Sequence, residues 1–181
     1  RTTFSIPQGW KNRRTHLRFE GVYSAFFVYL NGEKVGYSED SKGPAEFDLT
    51  PYLEPGKNIL AVEVYRWCDG SYLEDQDMFR FGGIFRDVAL VSFPNTCLWD
   101  TRILADYDAK KDTGTLEVRA DIRNLAGGEL EPRQVKVSLF DREGKSVAES
   151  ELSGVLERGE MHIVVASPKP WSAEKPNLYT A

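Results

Sequence analysis

Thr115-Leu116-Glu117-Val118-Arg119-Ala120-Asp121-Ile122-Arg123 decides the fold class. Leu116, Val118, Ala120 and Ile122 alternate without a break with Thr115, Glu117, Arg119, Asp121 and Arg123. A strict period of two puts the apolar side chains on one face of an extended segment and the charged ones on the other. That is the pattern of an antiparallel sheet with one buried side. Working outward, Leu60, Val62 and Val64 alternate with Ala61, Glu63 and Tyr65, and Val135, Val137 and Leu139 with Lys136, Ser138 and Phe140. Turn residues punctuate these runs. Asn31-Gly32 separates Phe27-Val28-Tyr29-Leu30 from Lys34-Val35-Gly36-Tyr37 and supplies the positive φ values of a tight hairpin. Pro55-Gly56-Lys57-Asn58 and Asp141-Arg142-Glu143-Gly144 punctuate other runs in the same way. Helical periodicity is nowhere sustained for three turns. Leu49-Thr50-Pro51-Tyr52-Leu53 predicts one isolated helical turn, with Thr50 as N-cap and Pro51 at the first position. The chain reads as all-β sandwich material.

Composition narrows the function classes. Hydrophobic residues make up 41% of the 181, enough for a packed core and against disorder. The formal net charge is −5, and the largest basic group is Lys11-Asn12-Arg13-Arg14, which argues against nucleic acid and anionic membrane as partners. Cys68 and Cys97 are too sparse for a disulfide scaffold and read as two free thiols. There is no apolar run of about 18 residues to span a bilayer. His16 and His162, both inside alternating patterns, read as strand-surface residues and leave no material for a zinc site or a histidine-based triad.

A boundary falls near Phe93-Pro94-Asn95-Thr96, where an aromatic-rich half gives way to leaner, more charged strands. One sandwich is expected over residues 1–94 and a second over residues 97–181. Five or six strands are legible in the first, fewer than a jelly roll's eight or so, so it is expected to be incomplete. The chain opens in strand style at Arg1-Thr2-Thr3-Phe4 without an initiator Met, and Asn177-Leu178-Tyr179-Thr180-Ala181 reads as the start of a further strand.

The stretch with most chemistry runs from Tyr65-Arg66-Trp67 through Asp69, Glu74, Asp75 and Asp77 to Gly82-Gly83. Carboxylates among aromatic rings suit a sugar, whose hydroxyls donate to carboxylate oxygens while a ring face packs on C–H groups. They equally suit a hard cation. A solvated acidic loop balanced by Arg66, Arg80 and Arg86 is the structural alternative. Glu74 and Asp77 as a paired-carboxylate glycosidase centre is a weak reading, because neighbours on one loop rarely straddle a scissile bond. Gly82-Gly83 is no dinucleotide fingerprint, since strand pattern follows it.

Several runs together resemble the sugar-binding domain of β-galactosidases of glycoside hydrolase family 2. They are Val28-Tyr29-Leu30-Asn31-Gly32-Glu33-Lys34-Val35-Gly36-Tyr37-Ser38-Glu39-Asp40-Ser41, Pro44-Ala45-Glu46-Phe47-Asp48-Leu49-Thr50 and Asp69-Gly70-Ser71-Tyr72-Leu73-Glu74-Asp75-Gln76-Asp77-Met78, followed by Gly83-Ile84-Phe85-Arg86-Asp87-Val88. Pro170-Trp171-Ser172-Ala173-Glu174-Lys175-Pro176-Asn177-Leu178-Tyr179 resembles the end of the family's immunoglobulin-like domain. The resemblance implies a truncated jelly roll (galactose-binding-like) followed by an immunoglobulin-like β-sandwich. It also implies a parent that hydrolyses terminal β-galactosides with retention, with both catalytic glutamates on a (β/α)₈ barrel outside this chain.

By the same resemblance no residue here is catalytic. Asp77 is the substrate-binding residue, contacting the galactosyl group, and is also a ligand to a sodium ion. Magnesium belongs to the parent's barrel alone. The implied partners are β-galactosides and the barrel, in a homo-oligomeric parent of the bacterial cytoplasm or periplasm. Residues 150–161 look shorter than the family loop that completes a neighbouring subunit's site. An autonomous carbohydrate-binding module and an adhesion-type tandem sandwich are the alternative functions.

Overall fold

The computed structural model describes residues 1–77, 79–155 and 157–181, in two units, Arg1–Asn95 and Thr96–Ala181. The first unit contains β1 (Thr2–Ser5), β2 (Arg14–Phe19), β3 (Val22–Tyr23), β4 (Ala25–Leu30), β5 (Glu33–Ser38), β6 (Ala45–Asp48), β7 (Lys57–Tyr65), helix α1 (Gly70–Leu73), β8 (Gly83–Ile84) and β9 (Val88–Phe93). A four-stranded sheet in the order β1-β7-β4-β5 and a three-stranded sheet in the order β6-β2-β9 are antiparallel throughout. The two-residue strands β3 and β8 pair with each other and are too short to read by alternation. This is a jelly-roll sandwich, with nine strands among the described residues where the sequence made five or six legible. Its core follows from the period of two. Phe26, Val28 and Leu30 of β4 and Leu60 of β7 pack with Leu17 and Phe19 of β2 and with Leu49.

Turn chemistry sets the hairpins. Asn31 (φ 52°) and Gly32 (φ 92°) both sit at positive φ, which closes β4–β5 with Leu30 opposite Glu33. Asn58 is fully buried, and its Oδ1 accepts from the Asn31 amide (2.8 Å) and the Glu54 N–H (2.8 Å). Its own amide donates to the Glu54 carbonyl at 3.0 Å. Asn31 in turn donates to the Tyr52 carbonyl and accepts from the Ile59 N–H, each at 2.9 Å. Two side-chain amides thus lock the hairpin tip to the start of β7.

The predicted helical turn forms as a 3₁₀ turn over Thr50–Tyr52, but Thr50 is not its cap. Asp48 Oδ1 accepts the Thr50 N–H (2.9 Å), and the Thr50 hydroxyl instead accepts from the Thr15 N–H (2.8 Å), joining the turn to β2. His16 also departs from expectation. Its ring is half-buried, hydrogen-bonded to Glu46 at 2.7 Å and edge-on to Phe93 at 5.0 Å.

The second unit contains β10 (Thr96–Asp108), β11 (Thr113–Asn124), β12 (Arg133–Phe140), β13 (Ser146–Gly154) and β14 (Arg158–Ala166). β10-β11-β14 form one sheet and β12-β13 the other, an immunoglobulin-like sandwich. Leu116, Val118 and Ala120 of β11, the residues with which the alternation began, line its core beside Met161 and Ile163 of the paired β14 and together with Leu139 of β12. Gly144 at φ 78° closes the β12–β13 hairpin, with Asp141 Oδ1 accepting the Lys145 N–H at 2.9 Å. Beyond β14 the chain returns to the free edge of β12, where Thr180 and Phe140 exchange two backbone hydrogen bonds of 2.8 and 3.0 Å. Both cysteines are free, and no helix among the described residues is long and apolar enough to cross a membrane.

Candidate functional site

The acidic stretch after β7 is built in three pieces. Asp69 caps α1, its side chain accepting the Gly70 N–H. The helix lasts one turn, and the Glu74 N–H closes it on the Gly70 carbonyl at 2.8 Å. After the turn the chain runs irregularly through Asp75, Gln76 and Asp77, and Met78, the last residue of the family motif, lies outside the described residues.

The four carboxylates are not equivalent. Asp69 is spent on its helix. Asp75 forms an ion pair with Arg80 inside the loop. Glu74 turns inward, and its Oε1 accepts the Ser41 N–H at 3.2 Å. That contact commits one Glu74 oxygen to the turn at residues 40–43. Asp77 is exposed and makes no hydrogen bond or ion pair among the described residues. The arginines expected to balance the loop are mostly engaged elsewhere. Arg66 lies over the Trp67 ring, and Arg86 donates to the carbonyls of Lys42 (2.9 Å) and Glu20 (3.2 Å).

The base of the loop is a turn that the sequence reading passed over, although its signal is plain: an Asp followed three residues later by Gly. Asp40 Oδ1 accepts the N–H groups of Lys42 (3.0 Å) and Gly43 (2.9 Å). Those donors, Gly43 first, hold the Asp40 carboxyl below the usual carboxylate range. A Cβ on Gly43 would run into the Asp40 carboxylate, so a side chain there would displace the group that holds the turn. Arg86, from the Gly-Gly-Ile-Phe-Arg segment, fixes the same turn from its other side through the Lys42 carbonyl.

The outward face of the four-stranded sheet was also hidden from a reading by alternation, because β4 is apolar at every position. Phe27, Tyr37, Tyr65, Trp67 and Cys68 line a depression of about 420 Å³ there. The Tyr37 hydroxyl donates to Glu39 at 2.6 Å and the Tyr65 hydroxyl to Glu63 at 2.9 Å. The first bond pushes the Tyr37 phenol up to about 12. Glu39, Cys68 and Asp69 come close to one another at its rim, with Glu39 engaged by Tyr37 and Asp69 by Gly70. In the second unit Glu117, Glu160 and His162 also cluster, and Arg119 pairs with both glutamates.

The chain is thus a jelly roll that presents a carboxylate loop, followed by an immunoglobulin-like sandwich, two domains that family comparison can place. The family models agree: residues 1–94 match the sugar-binding domain of glycosyl hydrolases family 2, and residues 96–181 match the domain described as glycosyl hydrolases family 2. The chain belongs to glycoside hydrolase family 2. Among curated proteins it is 45% identical over 183 residues to the β-galactosidase of Priestia megaterium, covering 98% of this chain and 18% of that protein. It is 42% identical to the β-galactosidase of Clostridium acetobutylicum, covering 99% of this chain and 19% of that protein. Among solved structures, Bacteroides uniformis β-glucuronidase superposes with a TM-score of 0.81 at 25% identity, over 98% of this chain and 23% of that one. A Bacteroides vulgatus β-glycosidase does so with a TM-score of 0.76 at 30% identity, over 98% and 22%. The chain thus spans about a fifth of the length of the curated relatives it matches. The two sandwiches are shared by enzymes of different sugar specificity, so the fold alone does not select the substrate.

Proposed function

We propose that this chain is the non-catalytic, substrate-positioning part of a retaining β-galactosidase. The two carboxylates that perform the hydrolysis stand on a (β/α)₈ barrel outside it, and Asp77 reaches into that active site to hold the galactosyl group. One observation carries the reading. Of the loop's four carboxylates, Asp77 alone is exposed and without a partner among the described residues, while Asp69, Glu74 and Asp75 hold the loop together. Similarity over nearly the whole chain to β-galactosidases supports the galactoside as substrate.

Asp77 also fits as the charged ligand of a sodium ion, since a hard cation takes oxygen donors and this carboxylate is uncommitted. When bound, the ion supplies a positive charge that orients a sugar hydroxyl. Asp77 itself accepts a charge-assisted hydrogen bond from a hydroxyl and so fixes the ring before the bond is broken. A magnesium ion of the parent has no place in this reading of the chain.

Asp77→Asn in the full-length protein is the test. The amide keeps the shape and one oxygen but removes the charge. We expect kcat/KM for galactosides to fall at least about tenfold, roughly 1.4 kcal/mol of lost transition-state stabilisation, with a weaker response to sodium. Stability should change by less than about 1 kcal/mol, as for a surface site. A lowered melting temperature with kinetics and sodium response intact would show that Asp77 only holds the loop.

A further inference from the structure

We propose that Glu74 is the positioning residue that fixes where Asp77 stands, by tying the loop to the turn at residues 40–43; this rests on Asp77 being the substrate contact. Between Tyr72 and Phe81, the bond from the Ser41 N–H to Glu74 Oε1 is the only hydrogen bond or ion pair linking the loop to the sandwich among the described residues. The Asp75–Arg80 pair is internal to the loop and exposed, so it closes the loop without anchoring it. Tyr72 and Leu73 are 80% and 87% exposed and contribute little packing. At the far end, Phe79, Phe81 and Phe85 form a run of ring contacts at 6.2 and 5.9 Å.

The anchor is as firm as what it is fixed to. Ser41 is completely buried. Its turn is held by the two Asp40 bonds on one side and by Arg86 on the other. A Cβ on Gly21 would lie 2.9 Å from both the Arg86 and Phe85 side chains, so Gly21 lets these two lie close against the chain there. The Glu74 side chain therefore joins an irregular exposed loop to a buried residue of a hydrogen-bonded turn. Its main chain carries the constraint forward, for the Glu74 carbonyl accepts the Gln76 N–H at 2.9 Å, one residue before Asp77.

Two further atoms fit a carboxylate held in place. Glu74 Oε2 and the Ser41 hydroxyl are both buried and without a hydrogen-bond partner among the described residues. One can only accept and the other can donate, so the two buried atoms are complementary in chemistry. A group that determines the position of a sugar contact acts on rate steeply, since displacement by about an ångström costs on the order of a hundredfold.

The test is a cycle in the full-length protein with Glu74→Ala, Asp77→Asn and the double variant, plus Glu74→Gln and Glu74→Asp. We expect Glu74→Ala to lower kcat/KM at least about tenfold and to weaken the sodium response. The double variant should be no worse than Asp77→Asn within about twofold, because residues acting through one contact do not add. Glu74→Gln, which keeps the acceptor for the Ser41 N–H, should recover most of the activity, and Glu74→Asp, charged but too short, should not. If Glu74→Ala fails to fold, the Gln and Asp variants alone decide, and equal activity in the two overturns the proposal. Fully additive losses in the double variant, or an unchanged sodium response in Glu74→Ala, overturn it as well. The two readings fail separately. An Asp77→Asn enzyme with normal kinetics removes the Asp77 assignment, whereas an impaired Asp77→Asn beside a normal Glu74→Ala removes only the role of Glu74.

Discussion

Replacing Asn58 by Ala should be among the most destabilising single changes available in the first sandwich. The side chain is 0% exposed and takes part in three hydrogen bonds of 2.8, 2.8 and 3.0 Å, with a longer fourth to the Gly56 carbonyl. Ala removes all of them and fills none of the space. At a net value of about 1 kcal/mol for each well-formed bond, the loss is about 3 kcal/mol before any cavity term is added. Asn31→Gly, which keeps the positive φ that the hairpin needs, removes the other half of the pair. Because the two amides bond to each other, the double variant should fall short of the sum of the singles by about 0.5–3 kcal/mol. Hydrogen exchange of the β4 and β7 amides reads this directly, since it reports the opening of that unit rather than of the whole chain. A loss below about 1 kcal/mol in Asn58→Ala, or strict additivity with Asn31→Gly, would refute the argument that the buried amide pair holds the hairpin to the sheet.

Three other outcomes follow from single contacts. A Cβ on Gly36 would sit 2.5 Å from the Phe47 ring, which is wedged against Phe19 and Phe26, so Gly36→Ala should cost about 1–3 kcal/mol and Phe47→Leu should relieve part of that loss. Burial alone would raise the Asp48 carboxyl, but hydrogen bonds from Thr50 and Arg14 outweigh it and hold the carboxyl below its ordinary value. A lowered folded value stabilises above the unfolded carboxylate range and is lost as pH falls through it. Below about pH 4 the native melting temperature should therefore drop more steeply than that of Asp48→Asn. The Tyr37 phenol, pushed up to about 12 chiefly by its bond to Glu39, should return toward an ordinary tyrosine in Glu39→Gln, and ultraviolet difference titration shows whether it does.

The fold was legible wherever one face of a strand is wet. The alternation of residues 115–123 gave β11 and its core face, and Asn31-Gly32 gave the hairpin, because both signals are local. Reading failed where a contact joins residues far apart in the chain. Thr50 has the chemistry of a cap, yet its hydroxyl accepts from Thr15, 35 residues away, and Asp48 takes over the capping. His16 alternates like a surface residue, but the neighbouring strands supply Glu46 and Phe93 to enclose it. Within the site, the resemblance singled out Asp77 and the sequence named all four carboxylates. Which of them are spent on structure depends on partners such as Ser41, 33 residues from Glu74, that no local pattern reveals.

The division of the chain between Asn95 and Thr96 carries a consequence for experiment. Each hydrophobic core is made from one unit alone, the first from residues before the division and the second from residues after it. Separate cores do not require the two sandwiches to unfold in one transition, so a melting-temperature change is best assigned to its unit by following amides of each. The same separation supplies an internal reference. When Asn58 or Gly36 is altered, protection of the β11 and β14 amides in the same sample should stand still, which calibrates the exchange conditions without a second protein. A shift in both sets of amides would instead report a change in the solution, or a coupling between the sandwiches that their separate cores do not require.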